Sequence, residues 1–127
     1  MASVAQTILA IERKMARDFN AGKMEELLAH FDPKVIGFSS TQHERVAGQR
    51  AMQKTFQYYL HATSRIRYTI DRPQVHVFKD TVVATFYWTV ELGRGRPRHV
   101  IKGRGSHVFV QKGGKWVVAH EHFSRAH

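Results

Sequence analysis

The chain has 127 residues, of which 43% are hydrophobic, so it is long enough for one domain with a buried core and too apolar for a disordered chain. It contains no cysteine, which excludes disulfides and fits a cytoplasmic protein, and no apolar run reaches the ~18 residues of a membrane-spanning helix. Twenty basic and ten acidic residues give a formal charge of +10, but no nucleic-acid reader motif accompanies this charge. We therefore expect one cytoplasmic domain over residues 1–127, with no membrane partner and no specific nucleic-acid partner.

Three helices are predicted in the first half of the chain. The first spans residues 3–20, where Ser3 and Gln6 fit a capping box and apolar side chains recur at helical spacing. The second spans residues 24–31 and is stopped by the Asp-Pro pair that follows it. The third spans residues 48–60.

Beyond residue 60 the pattern changes to that of strands. Five strands are predicted there, over residues 65–70, 74–78, 81–92, 98–111 and 116–124, and one short strand is predicted earlier, over residues 35–38. Arg72 and Pro73 are expected to break the chain between two of them, and Gly113 and Gly114 to close a tight hairpin. Helices followed by a meander predict an α+β fold in which three N-terminal helices pack on a strongly curved antiparallel sheet, forming a cone with an internal pocket.

The outer face of this sheet also needs a cover. Phe86, Trp88 and Val90 share one face of their strand, and Trp116 and Val118 share one face of the last strand. If these side chains point outward, they form an apolar surface too large to leave in water. We therefore predict a homodimer joined sheet to sheet.

Several motifs in this order resemble the nuclear-transport-factor-2-like superfamily, and within it the SnoaL-like group. The most specific are Phe31-Asp32-Pro33, the RPQVH run at residues 72–76, and the segment from Gly114 to Ser124 that carries GKW and HEHFS. The chain is similar to the association (hub) domain of calcium/calmodulin-dependent protein kinase II and its bacterial relatives. That superfamily has the cone fold, is often dimeric and forms a larger ring in the kinase hub. It includes isomerases, cyclases, dehydratases, hydrolases, binding modules and oligomerisation domains, so the fold does not determine the function.

The resemblance also suggests which residues line the pocket. In the kinase hub a basic pocket binds small carboxylates. Three of its arginine positions correspond to Tyr87, His107 and Phe123 of this chain, and its pocket histidine corresponds to Met52. The resemblance thus implies that Tyr87, His107 and Phe123 face the cavity, and that the hub's arginine cluster is lost here.

An acid–base pocket is the leading hypothesis for the site. Glu121 shares a strand face with Phe123, and strand alternation permits Glu121, His107 and Tyr87 to converge on the concave face. Burial would raise the pKa of Glu121 towards the range of a useful general acid or base, His107 could share its proton, and Tyr87 could donate to an oxyanion. The alternative is a buried polar pair with no chemical role.

The expected ligand is a small organic molecule. Its predicted contacts, besides the three catalytic candidates, are Phe123, Thr85, Met52, Phe56 and Tyr59. The predicted function is a small-molecule-binding domain that acts, without a cofactor, as an isomerase, cyclase, dehydratase or hydrolase. A non-catalytic module for ligand binding or oligomerisation is the alternative.

A metal site is another interpretation of the histidines. His120 and His122 project from one strand face, and such a pair can bind zinc or iron if a third ligand comes from His76, His99 or His107. A similar pair occurs in the kinase hub, where no metal is implied. We therefore predict no metal, with His120 and His122 facing away from the cavity at a dimer interface.

Overall fold

The computed structural model describes residues 2–62, 65–93 and 99–126. In chain order the elements are α1 (Val4–Asn20), α2 (Met24–Leu28), β1 (Phe31–Phe38), β2 (Val46–Ala47), α3 (Gln49–Ala62), β3 (Ile66–Phe78), β4 (Thr81–Leu92), β5 (His99–Lys112) and β6 (Lys115–Arg125). The strands form one six-stranded sheet in the order β2-β1-β6-β5-β4-β3. The predicted α+β fold is confirmed: the helices pack on a curved sheet that does not close. Among the described residues, no helix is both long enough and apolar enough to cross a membrane.

The sheet is antiparallel at every pair of neighbouring strands except one. Strands β3 to β6 form a meander in which each strand pairs with the next, and β1 pairs with β2 in the same antiparallel manner. Strand β1, from the helical half of the chain, instead lies parallel beside β6. This contact brings the N-terminal half against the last strand, so that the helices can cover the concave face.

Local signals in the sequence account for most element boundaries. The Ser3–Gln6 capping box is present, with Gln6 N 3.1 Å from Ser3 Oγ and Ser3 N 2.9 Å from Gln6 Oε1. The β5–β6 hairpin turns through Gly113 and Gly114, whose φ angles of 57° and 76° match the left-handed conformation of a two-residue hairpin turn. Such a turn favours glycine because glycine has no Cβ.

The second helix is shorter than predicted. It ends at Leu28, and the chain joins the sheet at Phe31 instead of continuing as a helix to that residue. The backbone N–H of Val118 donates to the His30 carbonyl over 2.8 Å, which ties this segment to β6. Pro33 then lies inside β1, where the pairing with β6 shifts register and a missing N–H is tolerated.

Two β-bulges change which residues face inward. The predicted break at Arg72-Pro73 was wrong: β3 is continuous, and its register with β4 shifts between Asp71 and Gln74. Arg72 has a φ of 49°, unusual for a residue other than glycine. Because one inserted residue reverses the alternation, the inward side changes from even-numbered residues such as Tyr68 to odd-numbered ones such as Val75.

The second bulge lies at Ala119 in β6. His120 pairs with Val108 while Val118 pairs with Phe109, so Ala119 is the extra residue. Val118 and Glu121 are therefore both buried although they are three positions apart. The prediction that Val118 shares an outward face with His120 was wrong, and Trp116 likewise packs against the core.

The tryptophan of β4 is also in the core. Phe86, Trp88 and Val90 are buried on the concave side with Ile101, so the prediction that they form an exposed outer surface was wrong. On this strand the more polar residues Thr85, Tyr87 and Thr89 alternate with them and take the outer face. Burying the larger apolar side chains removes more apolar surface from water, which favours this orientation.

Candidate functional site

His107 lies between two buried carboxylates. Its Nδ1 is 2.9 Å and 2.7 Å from the two carboxylate oxygens of Glu12, and its Nε2 is 2.7 Å from Oε1 of Glu121. Each of the three residues is at most 4% exposed. We call Glu12, His107 and Glu121 the Glu–His–Glu triad.

Three separate elements bring these groups together. Glu12 lies on the buried stripe of α1 between Ile8 and Met15, at helical spacing from both. His107 on β5 is the direct cross-strand partner of Glu121 on β6, so both side chains project to the concave face. Helix α1 packs over that face and completes the triad.

The geometry determines the charge of the triad. Two hydrogen bonds need two protons, whereas a neutral imidazole has one N–H. Burial lowers the pKa of His107, but the charges of Glu12 and Glu121 and their hydrogen bonds outweigh burial and raise this pKa to about 10. The ring is therefore an imidazolium at neutral pH, and with two carboxylates the triad has a net charge of −1.

The triad lines a cavity between the helices and the sheet, which we call the cone cavity. Its wall is rich in aromatic side chains, namely Phe19, Phe31, Phe56, Tyr59, Tyr68, Trp88 and Phe123. The space open to the centres of water-sized molecules is about 70 Å³. That is roughly half of the ~150 Å³ engineered cavity that holds benzene, so the cavity as it stands suits a small molecule.

Tyr68 and Trp88 are aromatic lining residues that also carry polar groups. Burial, and then the charges of Glu12 and Glu121, raise the pKa of Tyr68 well above 10, so its phenol stays protonated. The Nε1 of Trp88 is buried and has no hydrogen-bond partner among the described residues. The Trp88 ring stacks on Phe123, with centroids 5.7 Å apart.

Five of the eight predicted site residues lie around the cone cavity: Glu121, His107, Phe123, Phe56 and Tyr59. Their roles in catalysis or binding stay predictions. Met52 is fully buried, but it is not among the residues that line the cavity. Its backbone carbonyl accepts a hydrogen bond from the Thr55 hydroxyl over 2.7 Å, within the core beside the cavity.

Tyr87 and Thr85 are on the opposite side of the sheet, so the prediction that they face the cavity was wrong. Both side chains are exposed, and the Arg72 guanidinium lies 3.9 Å from the centroid of the Tyr87 ring. Alternation along β4 explains the placement, because Phe86 and Trp88 take the inward positions. Thr85 and Tyr87 line a groove on the outer face, together with Arg104.

The paired histidines face away from the cavity, as predicted. His122 lies in the outer groove, with its ring 5.6 Å from that of Phe38, and His120 is paired with Val108 on the outer side of β5. In the part of the chain that the structure describes, no three His, Asp or Glu side chains are arranged to hold a metal ion.

Glu12 and Tyr68 are the site residues that the sequence reasoning missed. A signal for Glu12 is present, since a carboxylate on the apolar stripe of an amphipathic helix must find a buried partner. Tyr68 shares the inward face of β3 with Ile66 and Ile70. Neither signal identifies the partner, because His107 is 95 residues from Glu12 in sequence.

Comparison with known proteins agrees with the fold. The SnoaL-like domain family matches residues 8–127, while no curated protein matches the chain. Among solved structures, a CaMKII hub from S. rosetta is 18% identical, with 99% of each chain covered and a TM-score of 0.83. An NTF2-like protein of unknown function from Pseudomonas putida KT2440 is also 18% identical, covering 93% of this chain and 83% of that chain at a TM-score of 0.83.

A third similar structure is the CamKII hub homology domain of Chlamydamonas reinhardtii, which is 19% identical over 99% of this chain and 100% of that chain, with a TM-score of 0.79. At these identities the likeness to solved structures shows the fold alone. The family match covers nearly the whole chain. The chain belongs to the SnoaL-like domain family.

Proposed function

We propose that this SnoaL-like domain binds a small organic molecule in the cone cavity and acts on it by general acid–base chemistry, with Glu121 as the base. The main support for this proposal is the Glu–His–Glu triad, which lines a cavity rich in aromatic side chains. Its members are joined by hydrogen bonds of 2.7–2.9 Å. Oε1 of Glu121 accepts from His107, whereas Oε2 has no hydrogen-bond partner among the described residues. That second oxygen is free to take a proton from a bound molecule.

The proton transfer moves one negative charge from the triad to the bound molecule. When Glu121 Oε2 accepts a proton, the triad changes from a charge of −1 to neutral, and the negative charge then lies on the substrate within the same cavity. His107 acts as a positioning residue, since it holds the Glu121 carboxylate through Nε2 while Glu12 fixes the ring through Nδ1. A base held in one geometry needs no reorganisation at the moment of reaction.

Tyr68 is the proposed partner for negative charge that develops on the substrate. It lines the same cavity, and its raised pKa keeps its hydroxyl protonated and able to donate. A phenol aimed at a developing oxyanion is a common form of electrostatic stabilisation. Tyr68 thus takes the role that the sequence had suggested for Tyr87.

The test is turnover of a panel of small substrates for isomerisation, dehydration, cyclisation and hydrolysis. We expect Glu121→Gln to abolish any turnover found for the wild type, because it keeps the shape and removes the titrating oxygen. Glu26→Gln, at an exposed carboxylate of α2, makes the same change of charge and should leave turnover unchanged. Full activity in Glu121→Gln would overturn the assignment of the base.

Oligomerisation is a second candidate function, supported by the outer face of the sheet. Ile36 and Phe38 on β1, Tyr87 on β4 and Val100 on β5 are each 37–49% exposed. These side chains are large and apolar or aromatic, and contact with a second copy would remove them from water. The structural likeness to kinase hub domains also favours oligomerisation. A contact through the outer face would leave the cone cavity, on the opposite face of the sheet, available to a ligand.

A further inference from the structure

We infer that the cone cavity selects a small cation, of the alkylammonium class, over anions and over neutral molecules of the same size. The inference rests on the proposed function, since it names the ligand class of the same cavity. It is the reverse of the preference that a basic, carboxylate-binding pocket would have. Four features of the cavity lead to it.

The first feature is the charge of the triad, which follows from counting protons. Two carboxylates and an imidazole with one N–H have a total charge of −2. The hydrogen bonds from His107 to Glu12 and to Glu121 need one further proton, which brings the total to −1 wherever the protons lie. The cavity wall therefore carries one unit of negative charge.

The second feature is that no described residue of the cavity wall neutralises this charge. None of the described residues that line the cavity is a lysine or an arginine. Glu12, His107 and Glu121 are all buried, and a net charge is costly in such a place unless a partner balances it. A singly charged cation would make the occupied cavity neutral, whereas an anion would bring its charge to −2.

The third feature is that the cavity wall carries groups suited to bind a cation. Glu121 Oε2 can accept a hydrogen bond from an ammonium N–H, and the aromatic rings present faces on which the rest of the ion can lie. Tyr68, Trp88 and Phe123 lie on the sheet side of this wall, with Tyr59 on the side of α3. Aromatic faces attract cations through the ring quadrupole, and cages of this kind recognise quaternary ammonium groups.

The fourth feature is size. The space of about 70 Å³ is smaller than a benzene-binding cavity, so the ion should be smaller than benzene. Methylammonium and trimethylammonium meet this limit, whereas tetraethylammonium exceeds it. Proton transfer is compatible with such a ligand: an ammonium N–H bond breaks, a Glu121 O–H bond forms, and an amine and a triad remain that are both neutral.

The test is an NMR titration at fixed ionic strength that follows the Trp88 indole N–H and the His107 ring signals. The probes are methylammonium, trimethylammonium and tetraethylammonium chlorides, sodium acetate and acetamide. We expect the two small ammonium ions to bind about tenfold or more tightly than acetate or acetamide, as a carboxylate and an aromatic cage together support. Tetraethylammonium should leave the cavity signals unchanged.

Two variants assign the preference to the cavity. Glu121→Gln should weaken ammonium binding by about tenfold or more, because the free carboxylate oxygen is lost. Glu26→Gln changes the charge of the chain equally at the surface and should bind as the wild type does. If Glu121→Gln does not fold, Tyr59→Leu decides instead: it should weaken trimethylammonium binding several-fold and leave acetamide unaffected, since only a cation needs the ring face.

The outcomes separate this inference from the proposed function. Acetate or acetamide shifting the cavity signals at lower concentration than the ammonium ions would overturn the cation preference and leave small-molecule binding standing. An equal loss for trimethylammonium and acetamide in Tyr59→Leu would also overturn it. No shift of the cavity signals with any probe would overturn the inference and count against a ligand-binding cavity as well.

Discussion

His107 and Glu121 face each other directly across strands β5 and β6, with Nε2 of the imidazole 2.7 Å from Oε1 of the carboxylate. Residues in direct cross-strand register have their Cβ atoms close together and must share a face of the sheet. The pair is therefore fixed by strand register, and it faces the cavity because Phe109 and Phe123, each two positions further along the same strand face, pack into the core. Helix α1 adds only Glu12 to this pair.

The stability of the fold should depend on pH through His107. Its pKa is about 6.5 in an unfolded chain and about 10 in the fold, because Glu12 and Glu121 stabilise the imidazolium. The folded state thus binds the extra proton, so this contribution is fully present below pH 6.5 and is lost as the pH rises to about 10. A pKa raised in this way corresponds to a contribution on the order of a few kcal/mol.

Denaturant unfolding between pH 6 and pH 10 would measure this loss. The charged groups that contact His107 are Glu12 from α1 and Glu121 from β6, and Tyr68 from β3 lines the same cavity and senses both carboxylates. The Tyr68 phenol stays protonated across this window, because its pKa is raised well above 10. Ionisation of Tyr68 therefore does not contribute to the change in stability between pH 6 and pH 10. A free energy of unfolding that stays flat or rises with pH over the window, relative to a His107→Gln variant, would contradict the prediction.

Removing the cation of the triad should cost far more stability than removing one anion. His107→Gln leaves Glu12 and Glu121 buried beside each other without a positive charge, and breaking a buried ion pair in this way costs about 3–5 kcal/mol. Glu121→Gln instead makes the triad neutral and keeps an acceptor for Nε2, so we expect a loss below about 1 kcal/mol. Thermal and chemical unfolding of the two variants, measured at pH 7, would test the difference. Equal losses would argue against the charge of −1.

Much of this site follows from alternation along single strands. Glu121 and Phe123 share a face in any regular strand, and so do His107 and Phe109 on β5, so the inward placement of these residues could be predicted from the sequence. The positions of the two β-bulges could not be predicted in this way. Nothing in the run Val117-Val118-Ala119-His120 indicates that Ala119 is the inserted residue, because a bulge depends on how the neighbouring strand pairs.

Two features of the site, the outward placement of Tyr87 and the role of Glu12, were missed because both depend on how the core packs. Tyr87 was expected inward by resemblance, yet β4 buries Phe86 and Trp88, which remove more apolar surface from water than the alternating Thr85 and Tyr87 would. Glu12 was overlooked because its role depends on a contact between α1 and β5 that no local pattern encodes. Local periodicity determines elements and faces, whereas the partner across the core is set by tertiary packing.

The two tyrosines that exchanged roles offer a matched pair of variants. Tyr68→Phe removes a cavity hydroxyl and keeps the ring, so any turnover should fall by about 10-fold or more if the phenol stabilises an oxyanion. Tyr87→Phe makes the same change on the outer face, where the ring lies under Arg72, and should leave turnover unchanged. Steady-state kinetics on whichever substrate the wild type accepts would compare them. A larger loss of turnover in Tyr87→Phe than in Tyr68→Phe would contradict the prediction and indicate that the active site lies on the outer face.

The outer face of the sheet should form a homodimer contact. Trp88 cannot contribute to it, since it is 2% exposed and lies on the concave side of the sheet. Ile36 on β1 is 49% exposed, so Ile36→Lys should fold normally and weaken association by placing an unpaired charge in the contact. Val77→Lys is the control, because Val77 is 48% exposed on β3, at the opposite edge of the sheet. Sedimentation at micromolar concentration should give a dimer for the wild type and for Val77→Lys, and a shift towards the 14.6 kDa monomer for Ile36→Lys. A wild-type protein that sediments as a monomer would contradict the prediction of a sheet-to-sheet dimer.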